Sequence, residues 1–248
     1  MDRISIAIAI VLATNVALAA RILDKNLGWP GVTLADQECR GKPQGFGPFD
    51  YNDPRSSAPG GFSNITGNPL SNPLRMVEIA HFKNYVEALI KGKTGKDPLA
   101  DIDYTLRAFP NHPRALWAVS RYFLQIPTTD PDRNWILARG LRGTPPPECF
   151  FQRAMLFAPE DPMVSMIYGL YLHKRGLSDA ALREYLRAGE GMPNHAELAY
   201  NTGLLYFELK DYENARKYAD KAYELGYPLD GLKRKLAELP TDSSQPVE

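Results

Sequence analysis

Charge of either sign in excess is missing from this chain of 248 residues, and so is cysteine beyond a single pair. The 29 basic and 29 acidic residues cancel, for a formal net charge of zero and a pI near 6.9. A chain without a basic field does not gather phosphate backbones by counterion release, which argues against sequence-independent nucleic-acid binding. Cys39 and Cys149 are too few and too far apart for a zinc motif of paired C-x-x-C type. The four histidines, His81, His112, His173 and His195, are scattered and fall at no metal-ligand spacing. No G-x-S-x-G, no phosphate-cradling glycine loop and no H-E-x-x-H occurs. The sequence therefore names no catalytic residue, no metal ligand and no cofactor, and the chain reads as a non-enzyme. Only one long apolar run exists, and it stands at the start.

That run has the order of an export signal. Met1-Asp2-Arg3 is a short polar start, Ile4 to Ala13 is apolar, and Ala17-Leu18-Ala19 supplies the small residues a signal peptidase requires. A full membrane span wants about 20 apolar residues, and Thr14-Asn15 breaks the run early. Cleavage is expected after Ala19, leaving a periplasmic or secreted protein with no stable membrane insertion. The alternative is a membrane anchor through an uncleaved N-terminal helix. In an oxidising compartment an even cysteine pair is more simply a disulfide, Cys39–Cys149, than two separate buried thiols.

Residues 20–73 show no sustained period. From Gly41 to Pro73, twelve of 33 residues are Gly or Pro, a composition that opposes helix and strand alike. The stretch nevertheless carries Phe46, Phe49, Tyr51 and Phe62, and a disordered linker has little use for aromatics. It is expected to be an irregular arm that packs onto the protein's own helices or onto a partner. Asn64-Ile65-Thr66 fits a glycosylation acceptor, which matters only in a eukaryotic secretory pathway.

After Pro73 the pattern turns helical. Phe82, Tyr85, Val86, Leu89 and Ile90 recur three and four apart before Gly92. Asp97-Pro98 starts a second stripe of Leu99, Ile102, Leu106 and Phe109, and Asn111-His112-Pro113 starts a third with Leu116, Val119 and Phe123. No segment alternates with period two, so the fold class is all-α, over 74–239, with 240–248 a disordered tail.

The strongest signal is self-similarity at a fixed spacing of 34: Gly169 with Gly203, Ala181 with Ala215, Ala188 with Ala222. With Tyr168, Leu172, Tyr185, Pro193 and Tyr206, and the turn Lys210-Asp211-Tyr212-Glu213-Asn214, these segments resemble tetratricopeptide-repeat (TPR) units at 162–195 and 196–229. Ser165 and Ala199 stand where that family usually has Trp, and Tyr227 stands at the second closing Pro. A degenerate unit is expected at 110–161, interrupted by Ile126 to Pro147 with one short helix near Trp135, and a capping helix at 230–239. Small residues fit where two helices cross closely, and helix pairs bury their apolar faces only by stacking.

What the resemblance implies is an α-solenoid whose first helices line a concave groove. By register that groove would present Arg114, Trp117, Arg121, Met163, Met166 and Leu170. It would continue through His173, Lys174, Glu197, Tyr200, Asn201, Leu204, Phe207 and Glu208. Aromatic and Met side chains ringed by charges suit a protein or peptide partner, although Met166, Leu170, Leu204 and Phe207 could equally be core between repeats. Only Asn201 and Lys174 resemble parts of the family's carboxylate clamp. The expected function is an exported scaffold or adaptor in the cell envelope. The alternatives are a structural subunit held through its arm and convex face, and an accessory factor or enzyme of unknown chemistry.

Overall fold

The computed structural model describes residues 27–62 and 72–239. The expected signal at 1–19, the Asn64-Ile65-Thr66 acceptor and the tail at 240–248 lie outside the described residues. Among the described residues there are twelve helices and, apart from two isolated antiparallel bridges, no β-structure. The chain forms two compact units, one ending at Pro159 and one beginning at Glu160.

The first unit holds α1 (Pro54–Ser57), α2 (Pro73–His81), α3 (Asn84–Glu87), α4 (Leu99–Ala108), α5 (Pro113–Leu124), α6 (Arg133–Arg139) and α7 (Pro147–Phe157). Four of these begin with Pro at the first turn, where its missing N–H costs no helical bond. The stripe from Phe82 to Ile90 is not one helix. The chain leaves α2 at Phe82, extends at Lys83 (ψ 162°) and makes the single turn α3, after which Leu89 takes φ 61° and Ile90 is 73% exposed. Phe82 and Val86 are both buried by that corner, so residues three and four apart share an interior without sharing a helix.

The Gly/Pro-rich arm belongs to this unit's core. Phe49 is fully buried, with its ring 4.8 Å from Phe46, 5.0 Å from Phe62 and 5.5 Å from Phe109, and Val77 and Ala108 close the cluster. Its backbone N–H donates to Ala108 O at 2.8 Å. Tyr51 N donates to Asn111 Oδ1 at 2.9 Å, and Asn111 Nδ2 donates to Asp50 Oδ1 at 2.8 Å. Further up the arm, Trp29 stands edge-on to Phe150 (5.0 Å) and under the Arg153 guanidinium. Arg153 is itself buried and donates to Leu106 O, Leu27 O and Gln44 Oε1, which ties the arm to α4. Burial pushes its guanidinium down to about 10, which leaves it charged at neutral pH. Asp103, also buried, receives Lys42 (3.3 Å) and Arg107 (3.2 Å) on one carboxylate oxygen.

Cys39 and Cys149 form a disulfide with Cα atoms 5.6 Å apart, pinning the arm to the first turn of α7 across 110 residues. Closing a loop of that length restricts the unfolded chain by about 4–5 kcal/mol in the chain-entropy account.

The second unit is two helix pairs and a cap: α8 (Pro162–Lys174) with α9 (Ser178–Gly191), α10 (Ala196–Glu208) with α11 (Tyr212–Glu224), then α12 (Gly231–Ala237). The repeated small residues sit at the helix crossings. A Cβ added at Gly169 would meet Tyr185 Cδ1 at 2.6 Å and Ala181 O at 3.2 Å. One added at Gly203 would meet Leu232 Cδ2 at 2.9 Å, Tyr218 Cβ at 3.2 Å and Ala215 O at 3.3 Å. Ala181, Ala188, Ala215 and Ala222 are fully buried. Gly176 (φ 74°) and Gly226 (φ 83°) end α8 and α11 in the left-handed region.

Candidate binding groove

Each first helix is started by a side chain that satisfies a free backbone N–H. Asp161 accepts from Met163 N at 3.0 Å. At α10 the cap is His195, whose Nδ1 accepts from Leu198 N at 3.2 Å. His112 does the same at α5, where Nδ1 accepts from Ala115 N at 3.2 Å. With Nδ1 an acceptor, His112 carries its proton on Nε2, which donates to Glu78 Oε1 at 3.3 Å. Burial depresses the His112 pKa more than Glu78 raises it, and the hydrogen bond from His112 keeps Glu78 below the usual carboxylate value. The contact is therefore a hydrogen bond from a neutral imidazole at neutral pH.

In the second unit, the expected groove residues stand on α8 and α10. His173 joins the two first helices: its Nε2 lies 2.9 Å from Glu208 Oε2, and its Nδ1 lies 3.3 Å from the Tyr185 hydroxyl on α9. Lys174, Glu197 and Glu208 are exposed, while Met163, Leu170 and Asn201 are half-buried. Met166 is buried in the cluster of Leu172, Ala181, Tyr185, Leu198 and Leu205, with Met163 and Leu170 packed along its edge. Tyr200, Leu204 and Phe207 pack toward the cap, against the cluster of Ala215, Ala219, Leu232 and Leu236. Tyr200 stacks on Tyr227 with centroids 4.2 Å apart, and Phe207 lies 5.5 Å from Tyr212 and beneath Lys235 Nζ.

The three groove residues of the first unit stand on α5. Trp117 is half-buried. Arg114 is bidentate to Glu87 (3.1 and 2.8 Å) and lies 3.6 Å from Glu78, with its guanidinium over Phe82. Arg121 donates through one terminal nitrogen to the Glu87 carbonyl. Both arginines thus tie α5 to α3 and the corner before it.

The sequence did not point to the involvement of α12 with Tyr200 and Phe207, nor to the buried roles of Arg153, Asp103 and Glu148. A basic residue inside the apolar run Phe150 to Phe157 was the available signal for Arg153. The Cys39–Cys149 pairing is present, and no free cysteine remains. Among the described residues, no group of three or more His, Cys, Asp or Glu side chains is placed to hold a metal ion. No helix among them is long and apolar enough to cross a membrane.

The tetratricopeptide-repeat family model matches residues 179–227, which run from α9 through α10 and α11. No curated protein matches the chain.

Proposed function

We propose that this chain, a tetratricopeptide-repeat protein and thus of a class that serves protein–protein interaction, is an exported scaffold that binds an extended or helical peptide segment of an envelope protein on its α8/α10 face. The observation that carries the reading is the make-up of that face. Met163, Leu170 and Asn201 are half-buried, and by register they would make a floor with exposed Lys174, Glu197 and Glu208 along its edge. Apolar floors with a mixed-charge rim give affinity at the centre and steering at the edge. No cofactor enters this account, and the residues named bind but do not react. Export is supported by the apolar run Ile4 to Ala13 followed by the small residues of Ala17-Leu18-Ala19, and by the buried disulfide, which persists most readily in an oxidising compartment.

A second reading is a structural subunit held by the outer face of the second helices. It is favoured by a cavity of about 210 Å³ bounded by Tyr185, Met192, His195, Leu198, Tyr218 and Lys221. The two readings separate under selection from a random peptide library displayed against the mature protein. Peptides for the first reading lose binding by about 10-fold or more when Asn201→Arg blocks the floor, and they keep it with Tyr218→Ala. The reverse pattern supports the second reading and contradicts the first.

A further inference from the structure

A second candidate site lies in the first unit, away from the groove residues on α5. The arm between Gly31 and Cys39 forms a tight loop: Val32 bridges Glu38, Thr33 N donates to Gln37 O at 2.7 Å, and Asp36 N donates to Thr33 O at 3.0 Å. This loop is fastened to α7 four times over. The Cys39–Cys149 disulfide holds one end. Gln152 brackets Val32, with Oε1 accepting from its N–H (3.1 Å) and Nε2 donating to its carbonyl (2.6 Å). Leu34 N donates to Glu148 Oε1 at 2.8 Å, and Glu148 is fully buried. Burying a carboxylate costs several kcal/mol unless its partners are in place. Here it is spent on fixing a loop whose tip is exposed.

Facing that loop is α6, through Trp135 and Arg139. Trp135 is 57% exposed, an unusual setting for the largest apolar side chain. Arg139 follows one turn later on the same helix face. Trp135, Arg139, Thr33, Gln37, Glu38 and Arg40 surround a depression of about 410 Å³. Pro146 completes the lining.

The lining selects a kind of ligand. Arg40 donates through Nε (3.0 Å) and one terminal nitrogen (2.7 Å) to a single Glu38 oxygen, Oε2, so the two side chains are paired with each other. Thr33 is buried and its hydroxyl oxygen accepts from the Ala35 and Gln37 N–H groups, which leaves the Arg139 guanidinium, the Gln37 amide and the second Glu38 oxygen around one indole and Pro146. An acyl chain or an amphipathic helix requires a continuous apolar floor, whereas Trp135 and Pro146 stand here among five polar residues; a phosphate backbone requires a basic field, whereas Arg40 and Arg139 stand here beside Glu38. A pyranose ring presents an apolar C–H face that can lie flat on an indole, and hydroxyls that donate and accept at its edge. Guanidinium, carboxylate and amide groups are planar partners for vicinal hydroxyls. A rigid loop keeps such weak individual bonds additive, since little ordering entropy is left to lose.

We propose that the depression between the Gly31–Cys39 loop and α6 binds a neutral oligosaccharide, with Trp135 stacking on one sugar ring and Gln37, Glu38 and Arg139 taking its hydroxyls. The site is independent of the peptide-binding reading.

The test is isothermal titration of the full mature chain with chitotetraose, cellotetraose and maltotetraose, with hexaglutamate as the acidic comparison. At least one tetrasaccharide binds saturably. Trp135→Ala weakens it by about 10-fold or more at an unchanged melting temperature, since the exposed ring is not holding the core. Trp135→Phe keeps part of the affinity. The proposal is overturned if none of the three sugars binds at about 10 mM, or if Trp135→Ala binds as well as the parent. Binding confined to hexaglutamate and lost in Arg139→Ala overturns it too, because the depression is then an acidic-peptide site.

Discussion

Tyr200 and Tyr227 stack nearly parallel, at 25° and 4.2 Å between centroids, where α10 meets the chain leading into α12. The Tyr200 hydroxyl would stand only 3.0 Å from a Cβ at Gly231, so the first residue of the cap is held close to the ring. An aromatic that reads from sequence as a partner's anchor is here a fastening for the chain's own last helix. Tyr200→Ala should cost about 1–2 kcal/mol, from the lost ring pair and its half-buried area. Tyr200→Phe should stay within about 0.5 kcal/mol, since stacking survives. Urea unfolding of the three proteins decides it; equal stability of all three would free Tyr200 from the cap.

The crossing of α10 and α11 predicts a sharp asymmetry between two residues of one helix. Ala215 is fully buried with its carbonyl 3.3 Å from where a Gly203 Cβ would stand, whereas Lys217 is exposed. Ala215→Leu should overpack the crossing and cost about 1–3 kcal/mol. Lys217→Ala should remain within about 0.5 kcal/mol. Equal losses for the two in urea unfolding would contradict the register described.

The disulfide makes a separate forecast. Thiol titration of the denatured, unreduced protein should find no free thiol among its two cysteines. Replacing both by Ala should lower stability by about 2–5 kcal/mol and release the Gly31–Cys39 loop to proteolysis. Two reactive thiols in the unreduced protein would contradict the bond.

The repeated part of the fold was legible because its constraint is local. A glycine at a crossing and an alanine opposite it recur at one spacing, and both ends of the constraint are written in sequence. The arm was legible only in outline. Phe46, Phe49 and Phe62 announced that a Gly/Pro-rich stretch is packed, but the contact of Phe49 with Phe109 is set by the path of the chain, and no period encodes that. The corner at Lys83 was missed for a related reason: Phe82 and Val86 keep helical spacing while being buried from two different segments. Among the expected groove residues, helical register orders Lys174, Glu197 and Asn201 along the first helices, where the first two are exposed and the third is half-buried. It could not show that Arg114 and Arg121 are engaged by Glu87, since that pairing depends on α3.

His112 should make the first unit acid-sensitive above the range where carboxylates titrate. Its folded pKa is depressed by burial, so the unfolded state binds the proton first. The stability it contributes is complete above the unfolded value of about 6.5 and falls as pH drops below it. Glu78, also depressed, adds its own loss only below the ordinary carboxylate value. Urea unfolding at pH 7.5 and 5.5 should show a loss for the parent protein and a smaller one for His112→Asn. An identical loss in both would assign the pH dependence to other groups.

The most direct test of the scaffold account is site-specific photo-crosslinking in the native host. A benzophenone side chain is placed at Asn201 or Met163 on the α8/α10 face, and at Lys217 on the outer face as the control. The account predicts one discrete protein adduct from the first two positions and none from the third. Adducts arising from Lys217 alone, with Asn201 and Met163 silent, would contradict it.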